Sequence, residues 1–378
     1  MMTLFVTSDF PPITSGIATY LYNTWKNLPL EKIIVLGPKV AGWESFDDKQ
    51  NFKIFRYRLP LGNSLFARMV KTFLFIFYIG KLRRKEKIGK IHCGAPLSAG
   101  IAGLVFKKFF NIPYCVYVYG GETKKYKRVK VAYPIMRLIL KNAQKVIANS
   151  MYTRDEFIKF GILPQKLVII SPGVNVQKFV PISKVPEIEK VHNLKNKKVI
   201  LSVARLVERK GQDMVIRALP EVLEKLPNLV YLIVGEGPEE AKLKKLTKDV
   251  GVESCVNFIG HVSDNELPKY YNACDVFIMP NRETRGTEII EGFGISFIEA
   301  SACGKSVIGG KSGGVGDAVI DGVTGILVNP LNTEEISSAI LKLLTDEDYA
   351  RRLGNNGRLR VEKEFRWELQ AQKLKEVL

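Results

Sequence analysis

Lys198-Val-Ile-Leu-Ser-Val-Ala-Arg-Leu-Val-Glu-Arg-Lys-Gly211 opens as a β-branched apolar run and ends in a basic loop closed by glycine. The run Lys198–Val203 is the kind that builds a parallel strand. The same unit recurs downstream, with strands expected at Val230–Val234, Val256–Ile259, Val276–Met279, Ser306–Ile308 and Gly325–Val328. Helical stretches separate them, and the end from about Glu334 to Leu378 reads as helical throughout. Upstream, strands are expected at Thr3–Thr7, Lys32–Leu36, Phe52–Tyr57, Lys90–Cys93, Tyr114–Tyr119, Lys145–Asn149 and Val168–Ile170. Gly16 opens a helix there, with Ile17, Tyr20, Leu21, Trp25 and Leu28 at helical spacing.

Strand and helix in alternation predict an α/β fold of two Rossmann-like, doubly wound domains. Ser171 to Asn196 breaks the pattern: it holds Pro172, Gly173, Pro181 and Pro186, mixed charge and no periodicity. The expected division is therefore 1–171, a linker at 172–196, a second domain at 197–362, and a terminal helix at 363–378. Two such domains facing one another leave a cleft at the carboxyl ends of their strands, where ligands bind in open α/β sheets. No short tandem repeat argues for a solenoid.

Composition narrows the class. The chain has 378 residues, 46% of them hydrophobic, which fits a globular protein and excludes disorder. Five cysteines without a C-x-x-C pair, and three histidines without H-E-x-x-H, give neither a disulfide framework nor a zinc motif; a reducing cytosol fits. The start of the chain reads as a strand, without the basic flank of a signal peptide. The most apolar stretch, Thr72 to Ile79, is far short of the ~20 residues that a membrane span needs.

The residues that carry chemistry cluster in the second half. Glu291-Gly-Phe-Gly-Ile-Ser-Phe-Ile-Glu299 places two carboxylates around a glycine turn, with a helix expected to begin near Ile295. Gly292 and Gly294 let backbone N–H groups approach a ligand, and the helix start favours anionic or hydroxyl-rich ligands. The carboxylates accept hydrogen bonds from sugar or ribose hydroxyls. Arg205 and Lys210 are suited to a diphosphate, one as a fork and one as a point charge. Ser312-Gly313-Gly314-Val-Gly316 is a further glycine-rich loop that can turn N–H groups to phosphates.

In this order the elements resemble those of glycosyltransferase family 4: E-x7-E, S-x-A-R-x4-K-G, Val234-Gly235-Glu-Gly237-Pro238, Ala302-Cys303-Gly304 and Ser312-Gly-Gly314. The resemblance runs from about Val199 to Trp367. Pro280-Asn-Arg282-Glu-Thr-Arg285-Gly286 is similar to the phosphatidylinositol mannosyltransferase branch. The resemblance implies a GT-B fold and a retaining hexosyltransferase. The first domain would bind the acceptor and the second the nucleotide sugar. The terminal helix would pack back on the first domain. By the family's pattern Arg205 and Lys210 hold the donor diphosphate and Glu299 the ribose. Glu291 and the backbone of Phe293, Gly294 and Ile295 hold the transferred sugar. Gly16 packs against the pyrophosphate, and Gly260 joins the donor site. No cofactor is required and no metal is assigned; Mg2+ is compatible but not needed, since the cations stabilise the leaving group. The D-x-D at Asp346-Glu-Asp348 reads as a solvated helical face. Many relatives carry His-Gly-His-Glu where this chain reads Tyr119-Gly120-Gly121-Glu122, so either Glu122 or backbone groups take part of the missing histidine's role, or the sugar is oriented differently, and the donor sugar stays open. GDP-mannose is the branch's donor, with UDP-sugars as the alternative.

The net charge of +19 points to an anionic partner. From Arg68 to Lys145 there are 18 Lys or Arg, opposed only by Glu86 and Glu122. Ser64 to Lys87 reads as an apolar helix with a basic end, and Lys124 to Lys130 as a second basic cluster. A peripheral seat on the inner face of an anionic membrane, with a lipid-linked or membrane acceptor, follows. A core helix with a solvated basic end is the plainer alternative. An oxidoreductase would need G-x-G-x-x-G after the first strand, which Val6-Thr-Ser-Asp-Phe-Pro-Pro lacks. A nucleic-acid-binding protein suits the charge, but no recognised motif supports one.

Overall fold

The computed structural model describes residues 1–58, 60, 64–127, 129, 131–183, 185–284 and 290–378. The chain forms two units, Met1–Gly173 with Trp367–Leu378, and Val174–Arg366.

The first unit carries β1 (Met2–Val6), β2 (Ile33–Lys39), β3 (Lys53–Arg58), β4 (Ile88–Cys93), β5 (Tyr114–Val118), β6 (Lys145–Ala148) and β7 (Leu167–Ile169). Their order in the sheet is β3-β2-β1-β4-β5-β6-β7, and every ladder is parallel. Successive side chains go to opposite faces. Leu4 and Val6 therefore join Ile34, Leu36, Ile91 and Val116 in one core, while Phe5 on the other face stacks on Trp25 with ring centroids 4.5 Å apart. The chain runs outward from β1 to β3 and returns to β4, so the switch in strand order falls between β1 and β4. The helix Trp367–Lys375 belongs to this unit, and Lys90 Nζ reaches the Val377 carbonyl at 3.1 Å.

The second unit carries β8 (Lys198–Val203), β9 (Leu229–Val234), β10 (Val256–Gly260), β11 (Val276–Met279), β12 (Ser306–Gly310) and β13 (Ile326–Val328), in the order β10-β9-β8-β11-β12-β13. All of its ladders are parallel too. Alternation again divides the strands. Val199, Leu201 and Leu232 enter one core, and Ile200, Tyr231 and Ile233 the other. The switch point here lies between β8 and β11, where ligands settle in such sheets.

All thirteen expected strands exist, two with the expected ends and the others with ends shifted by at most three residues. The segment read as a linker differs. Val174, Phe179, Val185, Ile188 and Leu194 are buried in the core of the second unit, and Val174 N–H bonds the Phe365 carbonyl at 2.7 Å. Its apolar residues are spaced too irregularly to show a period, and its prolines disguise a packed strap. The terminal helix begins at Trp367 rather than at 363. Asp346, Glu347 and Asp348 are all exposed, as expected of a solvated face, and the Asp346 carboxylate also caps the helix Glu347–Glu364 by accepting the Tyr349 N–H at 2.9 Å.

Candidate active site

Two loops leave neighbouring strands at the switch point of the second unit. The first follows β8 and runs through Ala204 to Gly211. Ala204 N–H bonds the Val234 carbonyl at 3.0 Å, and Leu206 N–H the Glu236 carbonyl at 2.9 Å. These bonds hold it against the Gly235-Glu-Gly237 turn after β9. Gly235 adopts φ +127, and a Cβ there would run into the Ala204 carbonyl. Glu208–Lys210 then makes a 3₁₀ turn, and Gly211, at φ +78, passes under the carbonyl of Pro280 and opens the helix Gln212–Lys225. Any side chain at Gly211 would push the first loop away from the second.

The second loop follows β11. Asn281 N–H bonds the Met279 carbonyl at 2.8 Å, and Arg282 N–H bonds the Arg209 carbonyl at 2.9 Å. The Arg282 guanidinium closes a two-pronged bridge to Asp213 at 2.8 and 2.9 Å. Arg285 and Gly286, part of the branch-like motif, lie outside the described residues. The chain re-enters at Ile290, and Gly314 N–H bonds the Glu291 carbonyl at 2.8 Å. The Ser312–Gly316 loop thus braces the Glu291 backbone and spends that N–H on protein rather than on a phosphate.

These stitches bring Lys210 and Glu291 together. Oε2 of Glu291 accepts from Lys210 Nζ at 2.5 Å, Arg209 Nη1 at 2.9 Å and Asn281 Nδ2 at 3.1 Å. Burial pushes the Glu291 carboxyl upward, but the charges and hydrogen bonds of Lys210 and Arg209 outweigh it and hold it below its usual range. Burial likewise lowers Lys210, against the pull of Glu291. Two cations and one carboxylate leave one positive charge in excess. Arg205 stands apart from this cluster: it is exposed, and among the described residues its side chain has no hydrogen-bonding or ion-pair partner, so its five donors are free for an anion.

Glu299 sits in the helix Ile295–Ala302, capped by Gly294 at φ +97. Its Oε2 accepts from the Tyr271 hydroxyl at 2.8 Å. Burial raises its pKa to about 7, helped by Asp264, against the Tyr271 hydrogen bond and Lys178. Phe293 is buried beside Phe365, with centroids 5.3 Å apart, so only its backbone is left to meet a ligand. Gly260 ends β10 in the left-handed region, and its carbonyl accepts the Gly235 N–H at 2.8 Å.

The remaining expected residues belong to the first unit. Gly16 begins the helix Gly16–Trp25, whose Ser15 cap accepts the Ala18 N–H at 3.0 Å, and open space surrounds the Gly16 Cα. Glu122 turns back on its own loop, and its carboxylate accepts the Tyr119 N–H at 2.9 and 3.1 Å. Burial raises its pKa against those bonds. The Tyr119 hydroxyl ties the loop to the Gly94 carbonyl at 2.9 Å. Arg209 and Asn281 were not anticipated. The sequence cue for Arg209 is its place beside Lys210, and that for Asn281 is its place in the branch-like motif that starts at Pro280, which gave it no role of its own. Among the described residues no group of three His, Cys, Asp or Glu gathers as a metal cluster.

The family model of glycosyl transferases group 1 matches residues 184–360, and that of glycosyltransferase family 4 matches residues 14–178. A GDP-mannose-dependent alpha-(1-6)-phosphatidylinositol monomannoside mannosyltransferase of Mycolicibacterium smegmatis is 32% identical over 99% of this chain and 97% of its own length. The chain is a family 4 glycosyltransferase. A GDP-mannose-dependent mannosyltransferase of Corynebacterium glutamicum, acting on a monoacylated phosphatidylinositol monomannoside, is 29% identical over all of this glycosyltransferase and 97% of its own length. Among solved structures, Anabaena HepE in complex with UDP and glucose superposes with a TM-score of 0.82 at 19% identity, covering 100% of this chain and 99% of its own. Sucrose-phosphate synthase from Thermosynechococcus elongatus gives 0.83 at 22% identity, with 99% and 97% covered. These two speak for the glycosyltransferase's GT-B fold alone.

Proposed function

We propose that this glycosyltransferase moves mannose from GDP-mannose, with retention of configuration, onto a lipid-linked acceptor of the phosphatidylinositol type. The similarity to the mannosyltransferases over the whole chain carries the reading. The cation-rich loop at the switch point supplies the chemistry. Arg205 takes the exposed side of the diphosphate, and Lys210 with Arg209 the inner side, compensating the charge that grows on the leaving group. Glu299 receives the ribose hydroxyls. Glu291 and the backbone at Phe293–Ile295 receive the sugar. In the first unit, Gly16 leaves room at a helix start for the pyrophosphate, and Glu122 fixes the loop where other members carry histidine.

The acceptor reading extends to a membrane seat. In the helix Leu65–Lys85, Phe66, Met69, Phe73 and Phe77 are exposed at spacings of three and four, on one face. Phe75, Ile79 and Leu82 of the same helix are buried, so one face packs in the core, and the exposed face supports the membrane reading. Lys81, Arg83, Arg84 and Lys85 crown its end, and Phe109 and Phe110 stand exposed on the helix Ser98–Phe110. Aromatic side chains beside clustered cations suit the interface of an anionic bilayer. No described helix is long and apolar enough to cross a membrane.

Thermal-shift titration with GDP, UDP, ADP and their sugar conjugates tests the donor. A ligand that binds only the folded state raises Tm by mass action. Stabilisation by GDP and GDP-mannose is expected; stabilisation by uridine ligands alone overturns the donor assignment.

A further inference from the structure

We propose that Asn281 is a positioning residue for the transferred sugar: with Arg209 it pins one oxygen of Glu291 so that the other is presented, fixed and open, to a sugar hydroxyl. The inference rests on reading Glu291 as the carboxylate that meets the sugar.

The hydrogen bonds at Glu291 are lopsided. Oε2 receives all three donors, from Lys210, Arg209 and Asn281. An ionised carboxylate has about four acceptor sites over its two oxygens, so three donors saturate Oε2. Among the described residues no donor reaches Oε1. A side chain with one oxygen saturated and the other vacant is oriented but unsatisfied, and it accepts the next hydroxyl without reorganising.

Asn281 contributes direction rather than charge. Its side chain is fully buried, and because a carboxylate only accepts, the amide must turn its nitrogen to Glu291. Oδ1 is then left without a partner among the described residues. Leaving a buried acceptor unpaired is unfavourable, so the orientation is held against its own local preference. The backbone supplies the hold. Asn281 N–H is fixed to Met279, the next residue is bridged to Asp213, and Gly310 of the neighbouring strand packs without a Cβ against the Asn281 backbone. Arg209, on the other loop, is tied to Arg282 through its carbonyl. The two donors that aim Glu291 therefore come from the two strands that flank the switch point. An error of an ångström in such an aim costs about a hundredfold in rate.

The test is steady-state kinetics of the full chain with GDP-mannose and a series of deoxy-mannose donors. Asn281→Ala is expected to lower kcat about ten- to a hundredfold while GDP affinity stays within about twofold. The penalty should vanish for the one deoxy donor that lacks the hydroxyl bound by Oε1. Asn281→Asp keeps the volume, and its activity should recover as pH falls, because the protonated acid donates to Glu291 and the carboxylate repels it. An unchanged kcat for Asn281→Ala, an equal loss of GDP affinity, or the same penalty for every deoxy donor overturns the role of Asn281. Glu291→Gln separates the two levels. If it is inactive while Asn281→Ala is normal, only the positioning role fails. If it is fully active, the reading of Glu291 fails with it.

Discussion

Lys210 Nζ stands 2.5 Å from Glu291 Oε2, joining the loop after β8 to the loop after β11. The contact is mostly shielded, with side-chain exposures of 11% and 15%. In the proposed reading the cation meets the charge that develops on the leaving diphosphate, and the carboxylate meets the sugar.

Replacing Lys210 by methionine keeps the stem and removes the charge. Transfer should fall by ~10²–10³-fold, about 3–4 kcal/mol, as for other preorganised donors. Arg209 and Asn281 still hold Glu291, so urea unfolding should show a smaller loss, about 1–3 kcal/mol. A stability loss with normal turnover would make the pair purely structural.

Arg205 predicts the opposite pattern. Its side chain is exposed and has no partner among the described residues, so Arg205→Ala should change unfolding free energy by less than about 0.5 kcal/mol. Calorimetric titration should nevertheless show GDP affinity weakened roughly tenfold or more, the loss of a charge-assisted contact.

Glu299 predicts a pH dependence. Its folded pKa, about 7, lies above the ordinary carboxylate value of 4.5, so folding favours the protonated form. Its contribution to stability is therefore largest at low pH, declines as pH rises from about 4.5 to about 7, and is constant above that. Ribose hydroxyls need the ionised acceptor, so nucleotide affinity should rise as pH passes about 7. Glu299→Gln should flatten both trends. A wild-type affinity that ignores pH between 5 and 8 removes Glu299 from the ribose site.

The exposed stripe gives a prediction outside the site. Phe66 and Phe73 are 76% and 67% exposed, so changing Phe66, Phe73 and Phe77 to serine should leave Tm nearly unchanged. Sedimentation with phosphatidylinositol-containing vesicles should fall at least about tenfold, since burying each ring is worth about 1.5–3 kcal/mol. Added salt should weaken the wild type's binding as well.

How much of this was legible follows from where the information lies. Strands buried in parallel sheets are continuous apolar runs, so Lys198–Val203 and its counterparts announce themselves. Glu291, Glu299 and Lys210 stand in motifs of fixed spacing, and the structure gives each a specific setting. The strap from Val174 to Leu194 was hidden because its anchors obey tertiary packing, not a period. Arg205 and Lys210 both read as diphosphate ligands, yet the turn at Glu208–Lys210 points Lys210 inward with Arg209 and leaves Arg205 outside. Asn281 acquires its place only when Gly211 lets one loop slide under Pro280, a contact between residues 69 or 70 positions apart that no local pattern records.

The most direct test is to incubate the purified protein with labelled GDP-mannose and vesicles carrying a phosphatidylinositol mannoside, then measure label in the solvent-extracted lipid. The account predicts a lipid product bearing one added α-linked mannose, and none from UDP-glucose or UDP-galactose. Label entering lipid from a uridine donor, with none from GDP-mannose, would contradict it.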